Sequence, residues 1–112
     1  MREIKASDKV TGARRIASIE AARRKVKDGE LYFMRRHGAY FRPGAHGYCQ
    51  DVAAAGLFTA EKARVCLDVN GLSVVPLKHM RETLMGQAAE FSRSMETIKA
   101  MLYNPFSLIE SP

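Results

Sequence analysis

The sequence predicts an α+β fold: an N-terminal helix, a small antiparallel sheet made of a hairpin plus short strands, a short helix and a long C-terminal helix. Three stretches carry that expectation. TGARRIASIEAARRKVK, from Thr11, is free of proline and rich in helix formers. LYFMRR and AYFR flank a two-residue link, His37-Gly38, as the strands of a tight hairpin do. From Met80 onward, apolar residues recur three or four apart.

The first helix is expected from about Thr11 to Lys27, with Asp28-Gly29 as its stop. At 100° per residue, Ile16, Ile19, Ala22 and Val26 share one apolar arc. Arg15 and Arg23 fall in the same arc, their stems lying over apolar neighbours while their heads reach water. Glu20 is placed to pair with Arg24 one turn on. Pro43-Gly44 ends the second hairpin strand, because proline has no N–H to give a ladder. Gly47-Tyr48-Cys49 reads as a third short strand. Thr59 caps a second helix, with Glu61 at its positive end and Asn70-Gly71 as its stop. LSVVPL reads as a strand that Pro76 either restricts to an edge or brings to its exit. The helices are expected on one side of the sheet.

The long helix is expected over about 78–103. Met80, Leu84, Ala88, Phe91, Met95, Ile98 and Leu102 make a stripe on it, narrow enough to resemble a coiled-coil seam. Such a seam serves either as intramolecular core or as the contact of a homodimer, and a small domain offers few other helices to cover it. Asn104-Pro105 ends the helix, and the tail 104–112 folds back through Phe106, Leu108 and Ile109. The organisation expected is a single domain over 1–112, divided into a basic helix (1–28), a hairpin, loop, helix and strand region (30–77), the long helix and the tail.

The chain has 112 residues, of which 46% are hydrophobic, enough to close one modest core. No apolar run approaches the roughly 20 residues of a membrane span, and the polar start MREIKASDKV lacks the apolar region of a signal peptide. No membrane partner is expected, and the protein is placed in the cytoplasm, where Cys49 and Cys66 stay free thiols. The net charge of +6 is polarised: residues 1–42 hold 12 Lys/Arg against 5 Asp/Glu, and residues 43–112 hold 6 against 7. A chain polarised in this way suits a polyanion, an acidic protein or its own other half.

Catalytic constellations are missing from the pattern. His46-x-x-Cys49 has the spacing of half a zinc site, but no second closely spaced pair completes it, so no metal is expected. Neither cysteine has a partner assignable as a catalytic base, and no phosphate loop or dinucleotide fingerprint occurs. The expectation is a protein without cofactor and without enzymatic activity. Arg23, Arg24, Lys25, Lys27, Arg35, Arg36 and Arg42 are the candidate contacts to an acidic partner or to nucleic acid. Interleaved Tyr32, Phe33, Tyr40 and Phe41 could add stacking surfaces for the second of these.

The loop from Phe41 to Ala63 is the most constrained part of the chain. Gly44, Gly47 and Gly56 allow backbone arrangements that side chains forbid, Asp51 can cap a short turn through Ala53-Ala54, and Tyr48 is expected to put its ring in the core. A loop that turns sharply to set a helix on a sheet explains this crowding, and a ligand-contacting loop is the alternative.

Pro43, then Gly47-Tyr48, Asp51, Ala55-Gly56-Leu57-Phe58-Thr59 and Glu61 also resemble a motif of short bacteriophage and prophage accessory proteins, most of them without an assigned function. The resemblance covers about residues 40–65, and departs from the pattern where those proteins often have Thr at Cys49 or Gln50 and a second acid near Lys62. It implies a phage origin and a place of action inside the host cell. Because some such proteins block host defences, it also implies a binder of a host protein or nucleoprotein complex. Counter-defence, including inhibition of a CRISPR-type complex, is the most concrete form of that implication.

Overall fold

The computed structural model describes residues 3–90 and 95–109, with the side chains of 87–95 outside the description. It is α+β, and its strands form one antiparallel six-stranded sheet. In chain order the elements are β1 (Ile4–Lys5), α1 (Gly12–Arg24), β2 (Leu31–Arg36), β3 (Ala39–Phe41), β4 (Tyr48–Cys49), β5 (Phe58–Thr59), α2 (Ala60–Cys66), β6 (Leu72–Pro76), α3 (Arg81–Glu90) and α4 (Met95–Tyr103). Short 3₁₀ turns occupy Pro43–Ala45, Val52–Ala54, Leu77–Met80 and Pro105–Leu108. The strand order is β1-β6-β2-β3-β4, and β5 pairs with the start of β2.

β2 is the axis of the fold, and its sequence, LYFMRR, explains the layers. Successive side chains of a strand point to opposite faces. Leu31 and Phe33 therefore enter one core, with Val75 and Tyr40, while Tyr32 and Met34 enter the other, with Val74 and Leu72. The first core is closed by Leu84 of α3 and by Ile98 and Met101 of α4. The second is closed by Ala22 of α1, by Val26, and by Ala60 and Ala63 of α2 with Leu67. Helices thus cover both faces of the sheet, not one as the sequence suggested. The physical reason is in β2 and β6 themselves: four consecutive apolar residues in LYFM and the fully buried LSVVP leave no solvent side.

The long C-terminal helix is the second correction. Among the described residues, Leu77–Met80 form a 3₁₀ turn, and Arg81–Glu90 and Met95–Tyr103 form two helices, α3 and α4, which pack against each other. On one continuous helix Leu84 and Ile98 would stand about 21 Å apart, yet both are fully buried in the same core. A helix of that length would have carried half its apolar stripe past the end of a small sheet. As two helices packed on each other, α3 and α4 bring Leu84 and Ile98 to that sheet together instead.

Smaller differences follow from the same packing. Ile16 lies outside the apolar arc that was expected of it, 60% exposed, while Ala22 and Val26 are buried. Glu20 and Arg24 form no ion pair with each other. β1 and β5, two residues each, were not expected at all. Pro76 ends β6, which lies between β1 and β2, so it marks an exit and not an edge. In the tail Leu108 and Ile109 pack on the first core, whereas Phe106 is exposed. The hairpin turn has positive φ at both His37 (53°) and Gly38 (78°), the type I′ pairing whose twist matches that of the strands.

Candidate functional site

Beyond the reach of the helices, β2 changes from apolar to basic. Arg35 and Arg36 stand on opposite faces, each held by a partner from elsewhere in the chain. Arg35 Nη1 donates to Glu3 Oε1 at 2.5 Å, and its guanidinium lies 5.0 Å from the centre of the Tyr40 ring. Arg36 Nε donates to the Asn70 carbonyl at 3.0 Å. With Lys5, Asp8, His37 and Ser73 they line a cleft of about 580 Å³. Asp8 accepts the Gly71 amide at 3.0 Å and meets Lys5 Nζ at 3.1 Å. The amide first, and Lys5 second, hold its carboxyl below the usual carboxylate range.

A second cleft, of about 520 Å³, has Lys25, Lys27, Lys78, His79 and Glu30 on its walls, and Glu3 borders both clefts. Glu30 accepts from Lys78 Nζ at 2.8 Å and from the Tyr32 hydroxyl at 3.2 Å, and the Lys78 bond is the main cause of its lowered pKa. The Tyr32 hydroxyl in turn accepts the Lys27 amide at 2.8 Å, while burial raises the pKa of the phenol. Lys25 and Lys27 form no ion pair among the described residues.

The structure therefore brings Arg35 together with Arg36, and Lys25 together with Lys27, along the side of the sheet that β1 borders. It does not gather the remaining cations there. Arg23 Nε donates to the Arg64 carbonyl at 2.8 Å, tying α1 to α2. Arg24 is exposed and borders neither cleft. Arg42 Nε donates to the Tyr48 carbonyl at 3.0 Å, on the β3–β4 side. Lys5, Lys78 and His37 were absent from the sequence-based candidates. Lys5 arrives through the register of β1 on β6, opposite Ser73, and no local spacing signals that.

The crowded loop resolves into backbone packing. A Cβ on Gly56 would sit 2.7 Å from Pro43 Cα and 2.8 Å from both Pro43 N and the Arg42 carbonyl oxygen. The Gly56 amide donates to the Phe41 carbonyl at 2.8 Å, and the Arg42 amide to the Gly47 carbonyl at 2.9 Å. Asp51 Oδ1 accepts the Ala53 amide at 3.0 Å and so caps the turn Val52–Ala54. Thr59 Oγ1 accepts the Lys62 amide at 3.3 Å at the start of α2. Tyr48 corrects the expectation of a core ring: it is 46% exposed, tilted against Phe41 with ring centres 4.8 Å apart. As the first residue of an edge strand on the face opposite Cys49, it has no second layer above it.

Among the seam residues, Leu84 and Ile98 are fully buried and Leu102 packs half-buried against the same core. Phe91 and the side chains of Ala88 and Met95 lie outside the described residues. Cys49 belongs to one core and Cys66 packs on the other, so the sheet separates them and both are free thiols. Burial raises the pKa of each, which disfavours the nucleophilic thiolate. Among the described residues no three His, Cys, Asp or Glu side chains converge as metal ligands, and no helix is long and apolar enough to cross a membrane.

What the two clefts offer chemically is anion recognition, by lysines that act as point charges and guanidiniums that present planar donors. Compared with family models, curated proteins and solved structures, the chain matches none.

Proposed function

We propose that this protein is a non-enzymatic binder, acting inside a host cell, that presents a basic surface to an acidic host protein or nucleoprotein complex. The reading is supported by the pairing pattern in the two clefts. Glu3, Asp8 and Glu30 are each met by a cation, Arg35, Lys5 and Lys78 respectively. Lys25, Lys27 and Arg36 are left without an ion pair among the described residues. A surplus of one sign along one side of a small protein steers an oppositely charged partner and sets its orientation. The resemblance to phage accessory proteins supplies the setting, and counter-defence by occlusion of a host complex is the specific form proposed.

The test is affinity capture during phage infection, with the wild type beside the double variant Lys25→Glu/Lys27→Glu. Both lysines are exposed and hold no ion pair among the described residues, so the fold should be unaffected. The expected result is one partner in stoichiometric amount, lost with the variant and released from the wild type by added salt. A partner held equally by both, or no partner at all, would defeat the proposal.

A further inference from the structure

The sheet face that α1 and α2 cover is open at its far end. Register sets Arg36 opposite Ala39 and Phe41 opposite Tyr48. Alternation then puts these residues on the same face as Tyr32 and Met34. Tyr32 and Met34 lie sealed in the core; Arg36, Ala39 and Phe41 are half-buried and Tyr48 is exposed. The Tyr48 ring is tilted at 45° against Phe41, with ring centres 4.8 Å apart, and is 46% exposed. One arginine adjoins Tyr48 and another shares its face. Arg42 is fixed by its Nε on the Tyr48 carbonyl, and Arg36 by its Nε on the Asn70 carbonyl. In each, the terminal N–H groups have no ion-pair partner among the described residues.

We infer that this face binds single-stranded nucleic acid: one base packs on Tyr48 beside Phe41, a neighbouring phosphate meets Arg42, and a phosphate farther along the strand meets Arg36. A half-exposed aromatic ring near fixed cations suits a chain that alternates bases with phosphates. An acidic peptide would use the guanidiniums but has no group that an exposed tyrosine face recognises. A duplex keeps its bases stacked on one another and cannot offer one. The inference goes beyond the proposed function, because it rests on Tyr48 and not on Lys25 and Lys27, and can fail separately.

The experiment is fluorescence anisotropy with labelled oligo(dT) and oligo(U) of about 12 nucleotides, at two salt concentrations. Two phosphate contacts on a single strand predict a loss of affinity of about 7-fold between roughly 50 and 200 mM salt. Tyr48→Ala should weaken binding roughly 10-fold, within the range for loss of one stacked base, and Tyr48→Phe should leave it unchanged. The ring is exposed, so both variants should melt with the wild type. The variant Lys25→Glu/Lys27→Glu should retain the Tyr48 effect even where host-partner capture is lost, which separates the two readings. The inference is overturned if neither oligonucleotide binds at the lower salt, if Tyr48→Ala binds like wild type, or if a duplex or poly-glutamate of equal charge binds as tightly.

Discussion

Replacing Gly56 by alanine tests the central packing claim of the loop. The added methyl would lie 2.7–2.8 Å from Pro43 Cα, Pro43 N and the Arg42 carbonyl oxygen. All three are backbone atoms, so no side chain can swing aside. To reach an ordinary contact of 3.4 Å, the two segments must separate by about 0.7 Å. That separation strains the 2.8 Å bond from the Gly56 amide to the Phe41 carbonyl. Overpacking of this kind costs about 1–3 kcal/mol, and a weakened hydrogen bond adds about 0.5–1.5 kcal/mol. Alanine also restricts the unfolded chain, which returns about 0.4–1 kcal/mol. The net destabilisation is therefore about 2–3 kcal/mol, or roughly 10–20 °C in Tm for a domain of this size. Urea and thermal unfolding followed by circular dichroism measure it. Gly86→Ala is the control: Gly86 lies in α3 with nothing within 4 Å of its added Cβ. That change should stabilise by about 0.5–1 kcal/mol. A Gly56→Ala protein within about 0.5 kcal/mol of wild type would refute the close approach of Gly56 to Arg42-Pro43.

Leu84→Ala and Ile98→Ala each remove a fully buried side chain from one core and should cost about 2–5 kcal/mol. Stability and light-scattering mass should both be independent of protein concentration. Stability that rises with concentration would instead support the seam as a dimer contact. Asp8→Asn should destabilise at neutral pH, because the Gly71 amide and Lys5 favour the carboxylate in the folded state. With its folded pKa lowered, Asp8 contributes stability above the unfolded carboxylate pKa and loses it as pH falls through the folded value. The gap between Asp8→Asn and wild type should therefore close below about pH 4, and a constant gap across the acid limb would refute that role.

The parts of the fold legible in the sequence are those fixed by local chemistry. His37-Gly38 between aromatic runs requires a tight hairpin, and Thr59 with Glu61 marks the start of α2. β1 and β5 were not legible because two residues carry no period, and each exists only through a partner far along the chain. The seam from Met80 to Leu102 misled for a physical reason. α3 and α4 bury residues on the same core, so the apolar period runs through both helices and gives no sign that they are two. A sign of the second helical layer was present in LYFM, where four consecutive apolar residues mean burial on both faces. The candidate surface was legible as charge but not as geometry. Lys25 with Lys27 and Arg35 with Arg36 are local pairs, whereas the clefts they line are completed by Lys5, Lys78 and Glu3 through sheet register.

The arginines and lysines divide by role, and that division governs how any binding claim can be tested. Arg15, Arg23, Arg36, Arg42 and Arg64 each donate to a backbone carbonyl distant in sequence or across a strand pair. Arg15 and Arg23 hold α1 to the α2 region through the carbonyls of Asp68 and Arg64, and Arg64 reaches back to that of Val26. A guanidinium suits this work because its planar donors can satisfy a carbonyl that would otherwise depend on water, and still carry charge at its outer edge. Neutralising such an arginine removes a structural bond together with a charge. Lost binding after Arg23→Ala or Arg42→Ala would then leave the two causes mixed. Lys25 and Lys27 hold no such bond among the described residues, and the exposed Tyr48 ring contacts the Phe41 ring. Substitutions at these positions change charge or stacking while the carbonyl staples remain, so a loss of affinity there can be assigned to the surface itself.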